Sequence, residues 1–530
     1  MSNAFKKALS AILGLSLCAG LCACNKTLPG DKSTVELQSG ESNSVTVQEG
    51  DTTMGYGGDA VVGITQEPSS FDPHMAVAAG DKELIFNIYE GLYKFDSTGA
   101  LNPCLATDCE ISEDSSVYTF TIREGVTFHN GDTLDADDVV YSLKRAAGLL
   151  DTQDGTALVA ELDCIKDVVK SDDGKVVVTL ESGNSELLSY FTTGIIPDGY
   201  DNCESAPVGT GPFMFDSYTI GENVTLVKNP DYWQDGLPYL DTVTFKICAD
   251  MDSGLLELQN GSIDIFPYLD SVRADQLDPT QFTIESNGSN MVQIFALNNA
   301  VEPLNDPLVR EAINIAINRE DIIEVTMGGA GVELTTAMSP AMGTYYDPSL
   351  DGTYTQNIDE AKALLAEAGY PDGFELTVTV PSNYLVHVNT AVELASELSA
   401  VGIDLEIEQV DWATWLETVY TNRQYESTVI CLTSDYAPYD VLQRYASDSS
   451  DNFINYSNSE VDALLAQIPT LADTDAKTAA YHEILNIMVE DNASCYIQDP
   501  TTLTAVSTRL TGYSVYPMYV QDMSQVKLAE

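Results

Sequence analysis

Residues 374–432 read FELTVTVPSNYLVHVNTAVELASELSAVGIDLEIEQVDWATWLETVYTNRQYESTVICL. Phe374, Leu376, Val378 and Val380 alternate with polar residues, the period of a strand with one buried face. Val392, Ala395 and Leu398 recur at helical spacing, and the run stops at Gly402. Ile403, Leu405 and Ile407 alternate again. Asp411 stands where a helix cap is wanted, ahead of Trp412, Trp415, Leu416 and Val419. The stretch closes on the apolar run from Val429 to Leu432. This order is βαβαβ, which predicts a largely parallel sheet with crossover helices. Ligands of such sheets bind beyond the carboxyl ends of the strands. The rule points at Trp412, just after one strand, and at Ser434, Asp435 and Tyr436, just after the next.

Upstream, Pro307 opens a predicted helix whose inward face is Val309, Ala312, Ile313, Ala316 and Ile317. A second helix runs from Asp359 to Ala368, stops at Gly369 and gives way to a turn at Pro371-Asp-Gly. Before residue 300 the texture differs. Strands are predicted at 60–65, 117–122, 176–180, 224–227 and 242–247, and a helix from Leu84 ends at Gly91. Asp135 caps a further helix with Asp137 and Asp138 in its first turn and Lys144 and Arg145 in a later one, matching the dipole. Region 58–290 is therefore strand-rich and mixed.

The chain has 530 residues, of which 44% are hydrophobic, enough to fill several cores. Its 82 acidic against 23 basic side chains give a net charge of −59. Such a surface repels phosphate backbones and excludes nucleic acid as a partner. It also disfavours anionic lipid, so attachment to a membrane needs another device.

The first residues supply one. Lys6 and Lys7 precede an apolar stretch from Ala8 to Leu21, too short to span a bilayer but in keeping with an export signal. Leu21-Cys22-Ala23-Cys24 resembles a bacterial lipobox, which implies removal of residues 1–23 and a lipid on Cys24. Residues 24–57 then form a lipid-anchored tether rich in Gly, Ser, Thr, Glu and Asp, with a reach of about 30 Å as a coil. Seven cysteines remain: Cys104, Cys109, Cys164, Cys203, Cys248, Cys431 and Cys495. The number is odd, there is no C-x-x-C, and most read as small buried hydrophobes. Whether Cys104 and Cys109 bridge stays open.

Catalytic patterns are absent from the sequence. His74, His129, His387 and His482 stand apart, without metal-ligand spacing. There is no G-x-S-x-G and no phosphate loop; Gly328-Gly-Ala-Gly331 lacks the lysine and hydroxyl. The acidic run 347–352 begins like a calcium loop, but Ile358 stands where a bidentate Glu is required. No cofactor and no metal are expected, and the chain does not read as an enzyme.

Several blocks carry a resemblance: 121–144 (TIREGVTFHNGDTLDADDVVYSLK), 207–213 (PVGTGPF), 229–233 (NPDYW), 304–319 (LNDPLVREAINIAINR) and 361–373 (AKALLAEAGYPDG). In this order they resemble the solute-binding proteins of ABC transporters, specifically the oligopeptide- and dipeptide-binding family, family 5. The resemblance implies an α/β, bilobed, periplasmic-binding-protein-like (type II) fold with a hinge. It puts lobe one at 58–93, 206–297 and 496–530, an extra subdomain at 94–205, and lobe two at 298–495. It implies a monomeric extracytoplasmic receptor that captures a peptide or amine-bearing solute between the lobes and delivers it to an ABC permease. Family members hold a peptide's α-ammonium with an aspartate in an A-D-Y-like sequence; that position is Asp435, followed by Tyr436. Trp412 occupies the place of a cleft tryptophan, Asp81 matches an acidic residue before the first helix, and Phe266 and Tyr268 are expected as cleft aromatics. The family's arginines for a peptide carboxylate are replaced here by Val429 and Val419. An oligosaccharide or metal chelate remains an alternative solute, and a two-carboxylate secreted hydrolase the alternative of another class.

Overall fold

In the computed structural model of the chain, residues 55–76, 78–433, 437–471 and 473–529 are described. The expected signal, Cys24 and nearly all of the tether lie outside them, as do Asp435 and Tyr436.

The strand Phe374–Pro381 pairs in parallel with Ile403–Val410 along its whole length and with Ser427–Thr433. The predicted βαβαβ unit is thus present, with the helix Leu385–Leu398 as its first crossover. Asp411 accepts from the Thr414 N–H at 3.1 Å and starts the next helix, as its place in the sequence predicts. Three further strands pair antiparallel on the other side, giving a six-stranded mixed sheet. In the last parallel strand, Val429 and Ile430 are both buried but on opposite faces. This strand therefore reads as a continuous apolar run rather than an alternation.

The other large sheet has seven strands. Its middle strand, Asp59–Ile64, lies parallel to Thr242–Ile247 and to Ile265–Leu269. Between this strand and the sheet's next one, Phe213–Thr219, the chain builds a smaller antiparallel sheet of four strands spanning 106–180, with its own core around Tyr118, Phe120 and Phe191. Asp135 caps the helix Ala136–Ala146 against this sheet, and Asp138 bonds back to the Asp135 N–H.

Two expectations shift. The predicted helix at 84–91 is the helix Ala79–Ile85, so the apolar run after it belongs to turns. The expected lobe boundaries fall late and early: Met291–Leu297 and Cys495–Pro500 both belong to the six-stranded sheet. The chain crosses between sheets at 287–291 and 500–502. Both crossing strands are buried on both faces, and strands without alternation fit the centre of either sheet. Buried Asp499 ties the crossings together, accepting from the N–H of Ser289 at 3.0 Å and of Met291 at 3.3 Å, and from the hydroxyls of Ser289 and Ser339. Cys104 and Cys109 are not bridged to each other.

The four-stranded unit also touches the far lobe. The Ser185 N–H donates to the Pro469 carbonyl at 2.7 Å. Lys477 Nζ lies 2.7 Å from a Glu186 carboxylate oxygen, and the Tyr481 hydroxyl donates to the other at 2.7 Å. Glu186 and Lys477 are 8% and 9% exposed, so this ion pair is buried.

Candidate functional site

Each large sheet ends its parallel strands at a rim that holds candidate site residues. On the six-stranded sheet, Trp412 follows the strand Ile403–Val410, as the topology predicts. Its ring is half-buried, stacks on Trp415 with centroids 5.1 Å apart and an interplanar angle of 6°, and meets Tyr384 edge-on at 5.4 Å. Val429 and Val419 are both fully buried in apolar surroundings. These positions hold core side chains, and no carboxylate grip is built there.

A basic group that the sequence reading misses lies close by. Arg444 Nη2 donates to the Thr433 carbonyl, the end of the last parallel strand, at 3.3 Å. Its Nε is buried without a hydrogen-bond partner, and among the described residues no carboxylate pairs with it. Other arginines are better satisfied. Arg145 pairs with Asp72 and Arg509 with Asp264, and Arg310 takes three carbonyls. No local pattern marks Arg444; only its packing sets it apart.

On the seven-stranded sheet, a pocket opens at the carboxyl ends of Asp59–Ile64 and Ile265–Leu269. Its lining includes Gly63, Gln66, Ala79, Glu83, Phe266 and Tyr268. Phe266 forms its inner wall and is a core residue, 1% exposed; its ring fills the space over Gly254, where an added Cβ would come within 2.1 Å of it. It is therefore no open stacking platform. Tyr268 follows a register shift in the strand and adopts φ 61°, a costly conformation for a tyrosine. That twist turns the ring toward Tyr519, 5.8 Å away between centroids, and toward Glu83.

Asp81 is fully buried. Its carboxylate accepts from the N–H groups of Ser69, Ser70 and Ala78, at 2.5, 3.2 and 3.3 Å, and from the Ser69 hydroxyl at 2.9 Å. With its lone pairs committed to the loop before the helix, it acts as a brace of the pocket wall. Glu83, on the same helix, differs. It is 4% exposed, and burial pushes its carboxyl up to about 7, with the Tyr268 hydroxyl pulling the other way. The sequence offers no signal that separates Glu83 from the other acidic residues.

The structure thus brings Asp81, Phe266 and Tyr268 to one rim and Trp412 to the other. Among the described residues no ring contact or hydrogen bond joins the two sets. Asp435 and Tyr436 lie outside the described residues. Among those residues no cluster of His, Cys, Asp and Glu could hold a metal ion, and no helix is long and apolar enough to cross a membrane.

Comparison with known proteins agrees with this architecture. Residues 100–453, more than half of the chain, match the model of bacterial extracellular solute-binding proteins, family 5 Middle. The chain is 26% identical over 494 residues to the oligopeptide-binding protein AppA of Bacillus subtilis (strain 168), covering 87% of this chain and 90% of that one. It is 27% identical over 483 residues to the glutathione-binding protein GsiB of Escherichia coli (strain K12), covering 87% and 92%. Among solved structures, the ABC transporter-associated periplasmic binding protein DppA from Helicobacter pylori, in complex with peptide STSA, superposes with a TM-score of 0.68 at 26% identity, over 90% of this chain and 99% of that one. AgaA from A. tumefacien R10, in complex with agropinic acid, gives 0.66 at 26% identity, over 89% and 99%. The chain belongs to the bacterial extracellular solute-binding proteins of family 5.

Proposed function

We propose that this chain is the peptide receptor of an ABC importer, lipid-anchored outside the cytoplasmic membrane through Cys24. The observation that carries the reading is the match to family 5 over two lobes, together with a pocket at the carboxyl ends of parallel strands in one sheet and stacked aromatics at those of the other. Relatives described as oligopeptide-binding and a relative bound to a peptide support peptide as the solute. The solute bridges the two rims and favours a closed form through contacts made only there. Asp435 receives the α-ammonium, Trp412 and Tyr436 wall the site, and Tyr268 faces it from lobe one. Arg444 meets the solute's carboxylate in place of the arginines absent at Val429 and Val419. What supports that last role is a guanidinium that has no carboxylate partner among the described residues and sits beside the end of a parallel strand.

The test is calorimetry with matched free, N-acetylated and C-amidated peptides, on the wild type and on Asp435→Ala. Truncating a buried ammonium's partner is expected to cost about 2–5 kcal/mol, and acetylated peptides should bind poorly. Equal affinities for acetylated and free peptides would sink the ammonium grip. The complex of a family relative with agropinic acid favours a second reading, a non-peptide solute in the same cleft. A thermal-shift panel of peptides, oligosaccharides and metal chelates separates the two.

A further inference from the structure

Lobe one holds several buried carboxylates, and almost all have obvious partners. Glu90 accepts from Thr210, Tyr232 and Trp233 at 2.7–2.9 Å. Asp264 is paired with Arg509 and also takes the Val61 N–H at 2.8 Å. Asp81 is saturated by the loop it braces. Glu83 is the exception. Among the described residues no lysine or arginine pairs with it, and Tyr268 lines the same pocket. A carboxylate this buried is costly unless a cation or several donors meet it.

Its position makes the omission meaningful. Glu83 lines the pocket at the carboxyl ends of two neighbouring parallel strands. Tyr268 is aimed at it by a bulged strand and a left-handed backbone. The −59 charge of the chain draws cationic solutes and repels anionic ones. A buried acid in the lining of such a pocket, with no ion pair among the described residues, is where a functional group is sought.

We propose that Glu83 is a specificity residue of lobe one, whose carboxylate receives a cationic group of the solute, an ammonium or guanidinium, with the Tyr268 hydroxyl orienting it. The assignment rests on the reading of this cleft as a solute site. It is separate from the α-ammonium grip assigned to Asp435 on lobe two, and implies a solute carrying a second positive charge, such as a lysine or arginine side chain.

The experiment is calorimetry on the purified protein and its isosteric Glu83→Gln variant. The probes are tetra-alanine, its four single-lysine variants, and spermidine. For the wild type, at least one lysine position should improve affinity about tenfold or more over tetra-alanine. E83Q should bind tetra-alanine as the wild type does and lose the lysine advantage, a change that a merely structural Glu83–Tyr268 contact would not cause. Retention of the advantage in E83Q, or its absence at every position in a wild type that binds tetra-alanine, overturns the proposal. If no peptide binds the wild type, the peptide reading falls and spermidine decides Glu83 alone. Binding abolished by E83Q supports it, whereas binding equal in both proteins, or absent, overturns it. Carbodiimide coupling of the preferred probe to the wild-type protein gives an answer that needs no variant. Attachment at Glu83 by peptide mapping supports the assignment, and attachment only elsewhere overturns it.

Discussion

Replacing Lys477 with methionine should loosen the joint between the four-stranded unit and lobe two far more than the loss of one surface charge would. Lys477 Nζ sits 2.7 Å from Glu186 and 3.1 Å from the Ser185 carbonyl, with both ionic partners more than nine-tenths buried. An exposed pair of this kind is worth at most about 1 kcal/mol. A buried one behaves differently, because removing one partner strands the other charge: the cost is about 3–5 kcal/mol. The Tyr481 hydroxyl stays on Glu186 and offsets a part of it. Hydrogen exchange is the fitting assay, since the Ser185 N–H bonds across the joint to Pro469 and reports its opening locally. At about 1.4 kcal/mol per factor of ten, exchange at Ser185 should quicken roughly 140- to 3,700-fold in K477M. Adding Glu186→Gln should recover most of the protection, because the stranded charge is gone. Exchange in K477M within a few-fold of wild type, or a double variant as labile as the single, would refute the reasoning.

Other outcomes follow from the same structure. Arg444→Gln should weaken peptides with a free terminal carboxylate and leave their amidated forms nearly unchanged; calorimetry showing equal losses for both would remove Arg444 from the site. Asp499→Ala strands the Ser289 and Met291 N–H groups, at about 1–3 kcal/mol each, whereas Asp499→Asn should cost much less; urea unfolding compares the two. Burial holds His74 and His129 down to about 4 and His387 to about 3, with the Arg145 charge adding to the effect on His74. Because these folded-state values are depressed, their contribution to stability is whole above about pH 6.5. It is lost as pH falls from there toward 4 and 3, by at most about 1.4 kcal/mol per pH unit for each histidine. Glu83 and Glu397, raised to about 7, work in the opposite sense: their folded forms hold protons that the unfolded chain releases above about pH 4.5. Stability curves should therefore fall more steeply on acidification in the double variant Glu83→Gln, Glu397→Gln than in the wild type, and parallel curves would contradict this assignment.

The parallel unit of lobe two is readable because its strands alternate, Gly402 ends the first crossover, and Asp411 caps the helix after the second strand. Trp412 follows from the same pattern, since a topology with parallel strands dictates which ends carry ligands. The lobe boundaries are less legible. Met291–Leu297 and Cys495–Pro500 are buried on both faces, and a run without periodicity does not say which sheet it joins. Phe266 is ambiguous for a related reason: an aromatic after a strand serves equally as pocket wall or as platform, and only the close approach of Gly254 decides for the wall. Glu83 and Arg444 are invisible in sequence because neither is defined by its neighbours in the chain. What distinguishes them is the charged partner each lacks among the described residues, a property of packing across elements far apart in sequence.

In the closure proposed above, the two strand crossings held by Asp499 would restrict how the halves move. A single connecting strand acts as a ball joint, free to swing, twist and tilt. Two connections side by side, fastened to each other through one carboxylate, remove most of those freedoms and leave a rotation about the line that joins them. Opening and closing then form a path with one angle as its coordinate. One well-chosen distance across the cleft, such as that between spin labels on opposite rims, is enough to follow the whole motion.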